Sequence, residues 1–218
     1  MMRLEKTKKI VLYGAGGMGR EITRLIARIN AVKPTFELVG FIDDTENMAG
    51  KMVAGYKVLG NFEELKKIKY DVFCCCTIGF ANTRERIYKK LKDYDIKTLS
   101  LIDPSVIVEP SSKIGNGTII QHDSCISVDV SIGKGCFFNA YTDLGHDVVI
   151  GDYCVCNPRV QVSGKCKVGN TVSIGGMSFL NPKVRVGDNV VIAPMSCVYG
   201  KVKAGTHVLG NPARRIEL

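Results

Sequence analysis

The chain has 218 residues, a formal net charge of +9 and 45% hydrophobic residues. That length fits one large or two small domains. No run of about 18 apolar residues is present, so no transmembrane helix or membrane insertion is expected. The excess lysines are scattered without aromatic interleaving, which argues against a nucleic-acid stacking platform and for small phosphorylated ligands.

The start, MMRLEKTKKIVLYGAGG, carries the lysines of a leader, but its apolar run is too short for one. A cytoplasmic protein is expected. Residues 8–13, KKIVLY, read as a buried strand. Gly14-Ala15-Gly16-Gly17-Met18-Gly19 follows, then Ile22, Leu25, Ile26 and Ile29 at helical spacing. Strand, glycine turn and amphipathic helix form a Rossmann-type first unit. Such a turn lets a phosphate approach the backbone at a helix N-terminus.

A second strand, 37–42, ends at Asp43-Asp44, where an acid can accept hydrogen bonds from a ribose. A short helical piece is expected at 62–67. A third strand, 70–76, leads into Thr77-Ile78-Gly79. A second amphipathic helix at 83–93 is expected to be capped by Asn82 or Thr83. A last strand at 97–102 closes an α/β domain of about one mononucleotide-binding half, which suits a nucleoside diphosphate better than NAD. Expected boundaries are 1–103 for this domain and 104–218 for the rest.

From Ile114 the periodicity becomes six. Every sixth residue to Val198 is large and apolar, thirteen of the fifteen being Ile, Leu or Val. The residue two before each is Ser, Thr, Val or Cys. Gly115, Gly133, Gly151, Gly169 and Gly187 recur at a spacing of 18. Period six within period 18 describes a coil of three flat faces, the hexapeptide β-solenoid. Asn139, Asn157 and Asn181 fall just after inward residues and are expected to take the left-handed corner conformation. The tail from Lys203 breaks the pattern and is expected to cap the coil. Of nine cysteines none forms a CxxC pair, and Cys136, Cys154, Cys156 and Cys166 occupy core slots. They read as reduced, buried hydrophobes.

Three histidines are present. His122 and His207 read as solvated. His146 is followed by Asp147, and a histidine beside an acid can serve as general base. Gly164 lies 18 residues on, one coil away on the same corner, where its N–H could hold an oxyanion. His122 lies 24 residues before His146, on another corner, so a zinc site would need two subunits and no metal is expected.

The motifs YGAGGMGRE, FIDD, TIGFANTR, FFNAYTDLGHDVVIGD, VSGKCKVG and GNPARRI together resemble one bacterial family. It comprises nucleotide-aminosugar N-acetyltransferases and related sialic-acid O-acetyltransferases, and the resemblance covers essentially the whole chain. It implies a Rossmann-like domain followed by a left-handed parallel β-helix. It implies acetyl-CoA as co-substrate, a nucleotide-linked sugar (a UDP-4-amino sugar foremost) as acceptor, and homotrimers with the site between subunits. Position by position it implies His146 as catalytic base, Asp147 as its acid partner and Asn139 as an active-site asparagine. Gly164 is implied to hold the acetyl carbonyl, and Gly16, Gly17, Met18, Asp43, Asp44 and Gly79 to contact the uridine nucleotide.

Three departures stand out. Val155 occupies the place of a second histidine near CoA, Met18 that of a loop histidine, and Ile192-Ala193-Pro194-Met195 that of a glycine-rich turn. Two other readings stay open: O-acetylation of a sialic-acid-like hydroxyl, and a scaffold with a nucleotide-sensing domain.

Overall fold

A computed structural model describes residues 7–217, and the first six residues of the leader-like start lie outside it. The N-terminal domain is a sheet of five strands: β1 (Lys8–Tyr13), β2 (Phe36–Ile42), β3 (Met52–Val53), β4 (Tyr56–Gly60) and β5 (Phe73–Cys76). Their order is β3-β4-β2-β1-β5, parallel except for the β3–β4 hairpin. Helices α1 (Gly17–Val32), α2 (Phe62–Ile68) and α3 (Ala81–Asp93) connect it. Ile22, Leu25 and Ile26 of α1 are buried, as their spacing requires. The β3–β4 hairpin has no counterpart in the sequence reading, because its short strands carry little alternation.

Two local expectations are corrected. Helix α3 begins at Ala81, with Phe80 at its N-cap and no side-chain cap. Asn82 and Thr83 therefore lie inside the first turn. The expected closing strand divides: Thr98 bridges Cys74 of β5, whereas Leu101–Ile102 pairs with Ile119–Ile120 as a rung of the solenoid.

From there, two-residue strands stack in parallel at an 18-residue offset and form three ladders. Face I begins at Leu101–Ile102, face II at Ile107–Val108 and face III at Lys113–Ile114. Inward residues such as Ile120, Ile126, Ile132, Phe138, Leu144 and Ile150 make one continuous core with the small slots between them. Each such side chain contributes about 2 kcal/mol by leaving water. The four cysteines expected in the core are buried free thiols, and burial pushes that of Cys156 well above its ordinary value.

The left-handed backbone does not fall on Asn139, Asn157 or Asn181. It falls two residues later, at Tyr141, Arg159 and Lys183, and at Asp123, Asp147 and Lys165 on other turns. The corner bends there, and the repeated stack of backbone hydrogen bonds holds even bulky residues in that conformation. Gly117 and Gly135 take the equivalent slot under Tyr88, where an added Cβ would approach its ring to 2.7 Å. The tail forms a hairpin, His207–Gly210 with Ala213–Ile216, which extends face I as an end cap.

The three faces meet different fates. On face I, the outward side chains of Leu101, Ile119, Phe137 and Val155 are buried in one cluster with Ile10, Ile22, Leu25 and Phe41 of the N-terminal domain. Face II presents Ile107, Cys125, Asp143, Gln161, Phe179 and Cys197, none of them buried. Face III presents cations on its later rungs. The joint between domains is fastened by Arg84 of α3, fully buried. Its guanidinium donates to the carbonyls of Cys76 and Ile78 on one side and Gly135 and Cys136 on the other.

Candidate active site

His146 and Asp147 sit on the corner between faces II and III, immediately after Asp143–Leu144. The backbone carbonyl of His146 accepts from Lys165 N–H at 2.8 Å, and Asp147 N–H donates to Val128 at 3.1 Å. The corner is thus pinned from both neighbouring coils. Asp147 takes the left-handed conformation, which Asp tolerates well. Its Oδ2 lies 2.8 Å from His146 Nδ1. A proton on Nδ1 donated to this carboxylate leaves the Nε2 lone pair free, the tautomer a base needs. Both side chains are about half exposed, so the pair faces solvent.

Gly164 lies one coil on, against the same imidazole. A Cβ built on Gly164 would stand 2.5 Å from His146 Nε2 and 2.7 Å from Cε1. Only glycine leaves room for the ring. The Gly164 carbonyl accepts from Lys183, while its N–H has no partner among the described residues. Base and free amide therefore flank one small volume, an arrangement suited to acyl transfer.

Asn139 does not join them within one chain. It lies on the corner between faces I and II, where its Oδ1 accepts from Ala140 N–H at 2.8 Å. A full face, with Asp143–Leu144, separates it from His146. Val155 is corrected outright as a cofactor contact: it is 1% exposed and packed beneath the N-terminal domain. A valine fits there because face I is an internal surface at that rung. His122 sits on the Asn139 corner with Nδ1 2.8 Å from Asp123 Oδ2, a second histidine–acid pair. The next coil places Tyr141 edge-on to it, and Ala140 rather than glycine follows His122 by 18 residues.

The N-terminal residues gather at the carboxyl ends of β1, β2 and β5. Gly14 is left-handed and a Cβ there would meet Ile78 at 2.9 Å, while Gly19 abuts the Gly14 carbonyl. Gly16 faces open space and Gly17 nearly so, at an α1 N-terminus without a side-chain cap. Free N–H groups there suit a phosphate. Gly79 lies beside Met18, whose Sδ would be 3.8 Å from an added Cβ.

Asp43 accepts from Ala15 N–H at 2.7 Å and Thr45 N–H at 2.9 Å. Burial alone would raise its pKa, but these hydrogen bonds outweigh it and hold the carboxyl below its ordinary value. Asp44 accepts from Tyr13 OH at 2.5 Å and Phe62 N–H at 2.9 Å. Both acids thus shape the loop as well as the mouth of the pocket.

That pocket, about 490 Å³, is of ligand size. Besides Gly14, Asp43 and Asp44 it is lined by Thr83, Arg86, Ile87 and Lys90 of α3. Arg86 has no acidic partner among the described residues, and Lys90 Nζ stands 3.9 Å from Asp44. The sequence reading missed these cations, although 83, 86, 87 and 90 mark one face of a helix. Among the described residues, no group of three or more His, Cys, Asp or Glu side chains gathers to hold a metal, and no helix is long and apolar enough to cross a membrane.

An α/β domain with an open phosphate-type loop is thus fused to a hexapeptide coil that carries a histidine–acid pair. Residues 9–91 match the family model of the PglD N-terminal domain, and residues 102–204 that of the GMPPB C-terminal domain. The N-terminal part of the chain is thus similar to the PglD N-terminal domain, and the coil to the GMPPB C-terminal domain.

Among solved structures it is similar to the acetyltransferase domain of PglB from Neisseria gonorrhoeae FA1090 in complex with acetyl coenzyme A. The TM-score is 0.88 at 22% identity, over 97% of this chain and 100% of that one. It is similar to a histidine mutant of perosamine N-acetyltransferase from Caulobacter crescentus, bound to CoA and GDP-perosamine. There the TM-score is 0.86 at 22% identity, over 97% and 98% of the two chains. WeeI from Acinetobacter baumannii AYE gives a TM-score of 0.86 at 26% identity, over 96% and 100%. A search of curated proteins finds no significant match.

Proposed function

We propose that this protein is an acetyl-CoA-dependent N-acetyltransferase acting on a nucleotide-linked amino sugar, foremost a UDP-4-amino sugar. The observation that carries the reading is the imidazole of His146, oriented by Asp147 and packed against Gly164, whose N–H has no partner among the described residues. His146 Nε2 takes a proton from the sugar amine as its nitrogen attacks the thioester carbonyl. Asp147 stabilises the imidazolium. Gly164 N–H holds the oxygen as it becomes anionic. Collapse forms the amide C–N bond, breaks the C–S bond and returns the proton to the CoA thiolate. The similar PglB domain and perosamine N-acetyltransferase were solved with acetyl coenzyme A, and with CoA and a GDP-sugar, which supports the choice of both substrates.

Residues 1–103 form the nucleotide-sugar domain in this reading, and 104–218 a left-handed, acyl-transferring β-helix. Gly16 and Gly17 receive the diphosphate, assisted by Arg86 and Lys90, while Asp43 and Asp44 meet the nucleoside. The working form is a cytoplasmic homotrimer. Face II borders both corners, and assembly through it would bring Asn139 of one protomer towards His146 of the next.

The test is an acceptor screen with acetyl-CoA, reading free thiol across UDP-, dTDP- and GDP-amino sugars. Loss of about 10²-fold or more in His146→Ala is expected. A folded His146→Ala variant with near-wild-type turnover would overturn the base assignment. UDP binding that survives Asp43→Ala would count against the nucleotide site, and turnover of a free sugar acid would favour the hydroxyl acceptor.

A further inference from the structure

Helix α3 borders a second cavity besides the nucleotide pocket. It encloses about 280 Å³ where the helix meets the corner between faces III and I. Thr83, Arg86, Ile87 and Lys90 line the nucleotide pocket, and Tyr88 and Lys92 line this one. The two lie towards opposite ends of the sheet. The nucleotide pocket gathers Gly14 and Asp43, which follow the carboxyl ends of β1 and β2. Lys97 of the second cavity accepts through its carbonyl from Cys74 N–H, at the amino end of β5.

One recurring corner slot shapes the space. Gly117 and Gly135 leave room there for the Tyr88 ring, and one coil further the same left-handed slot holds Tyr153. The two tyrosine rings are buried and stacked, with centres 6.0 Å apart, and make a fixed aromatic wall. Lys134 is held beside it, its Nζ 3.3 Å from Asp152 and 5.7 Å from the centre of the Tyr153 ring. The other charges of the cavity are idle. Lys92, Asp95 and Lys97 are exposed, and none of their side chains makes an ion pair or hydrogen bond among the described residues. Elsewhere on α2 and α3, Lys66, Lys67 and Lys89 each pair with a glutamate one turn away. Three ammonium groups from three segments therefore border one small cavity, together with a carboxylate that none of them neutralises.

Ammonium groups recognise a phosphate, and an unpaired carboxylate accepts from hydroxyls. We infer that this cavity is a second binding site, separate from the transfer site, for a hexose phosphate. Lys92, Lys97 and Lys134 receive the phosphate, Asp95 the hydroxyls, and the tyrosine wall the sugar ring. The space is smaller than the 490 Å³ of the nucleotide pocket and suits one sugar ring rather than a nucleotide sugar. Because α3 lines both pockets, a ligand that draws on Lys92 also acts on Arg86 and Lys90. The site stands without the acetyl-transfer reading, and only its effect on nucleotide binding rests on it.

The test is calorimetric titration of the full chain with glucose 6-phosphate, beside inorganic phosphate and glucose. Wild type is expected to bind glucose 6-phosphate about tenfold tighter than phosphate, and to bind no glucose. Lys92→Gln/Lys97→Gln, with both changes at exposed positions, should weaken glucose 6-phosphate about tenfold or more. Asp95→Asn suits the left-handed backbone there and should narrow the gap between the two phosphates. Arg86→Gln, on the other side of α3, should change neither. The inference is overturned if wild type binds no glucose 6-phosphate, or if the lysine variant binds it as wild type does. It is also overturned if Arg86→Gln abolishes binding, which would put the phosphate in the nucleotide pocket. An unchanged gap in Asp95→Asn removes the hydroxyl contact. A UDP titration repeated at saturating glucose 6-phosphate reads the coupling, expected as a shift of about fivefold in affinity. An unshifted UDP affinity removes the coupling and keeps the site, while UDP that binds under neither condition counts against the nucleotide reading alone.

Discussion

The imidazole of His146 rests on Gly164, so closely that a Cβ there would stand 2.5 Å from Nε2. The ring and the glycine are partners in one geometry, and each constrains the other. Gly164→Ala should displace the ring while leaving the backbone intact, since Gly164 has no left-handed torsion to protect. A loss of about 10²-fold in kcat with an unchanged melting temperature is expected, because small misplacements of a base are costly. Steady-state kinetics beside thermal unfolding tests it.

Asp147→Asn keeps the left-handed residue but weakens the acceptor facing Nδ1. The amide can orient the ring in the wrong sense and cannot stabilise its positive form. A fall in kcat of about tenfold or more is expected with little change in KM. An unaltered kcat would remove Asp147 from the mechanism.

Arg84 offers a prediction about stability. It is fully buried, has no acidic partner among the described residues, and satisfies four carbonyls across the joint. Arg84→Met removes the charge but strands those acceptors. The expected cost is about 3 kcal/mol, read as a lower urea midpoint. Arg84→Lys should recover part of it, since an ammonium has three donors for four carbonyls.

Acid should loosen the same joint from its other side. Burial tends to raise the Asp103 pKa, but hydrogen bonds from Ser105 and Arg28 outweigh it and hold the carboxyl below its ordinary value. A depressed folded value gives stability that is full above the unfolded pKa, about 4. That stability is lost as pH falls through the folded value. Unfolding midpoints should therefore decline below about pH 4 in wild type and decline less in Asp103→Asn.

Thiol labelling can report on face II. Burial pushes Cys75 up to about 12 and Cys74 and Cys76 also upward, so these should react only on unfolding. Cys125 and Cys197 are half-buried on face II. Both should label in an isolated protomer and be protected in an assembly through this face. Labelling at equal rates in both forms would assign assembly to another face.

Much of this architecture was legible because the solenoid repeats one rule. The six-residue period located the inward side chains from Ile114 to Val198, though not Ile102 and Val108 of the first rungs, and the 18-residue period put His146 beside Gly164. The corner torsions were misplaced at Asn139, Asn157 and Asn181, because residue preference points to Asn while the stacked coil bends two residues later. Val155 was assigned by position in a motif, yet a motif does not say which face a domain covers. Arg86 and Lys90 went unnoticed because a cation on an amphipathic helix ordinarily faces solvent.

Each rung contributes a single outward residue to each face. The character of a whole side of the prism is therefore spelled by one letter in every eighteen: Ile107, Cys125, Asp143, Gln161, Phe179 and Cys197 for face II. The interior is spelled by different letters, so the two texts are nearly independent. A handful of substitutions could give this coil a new neighbour on one side without disturbing a packed atom inside it.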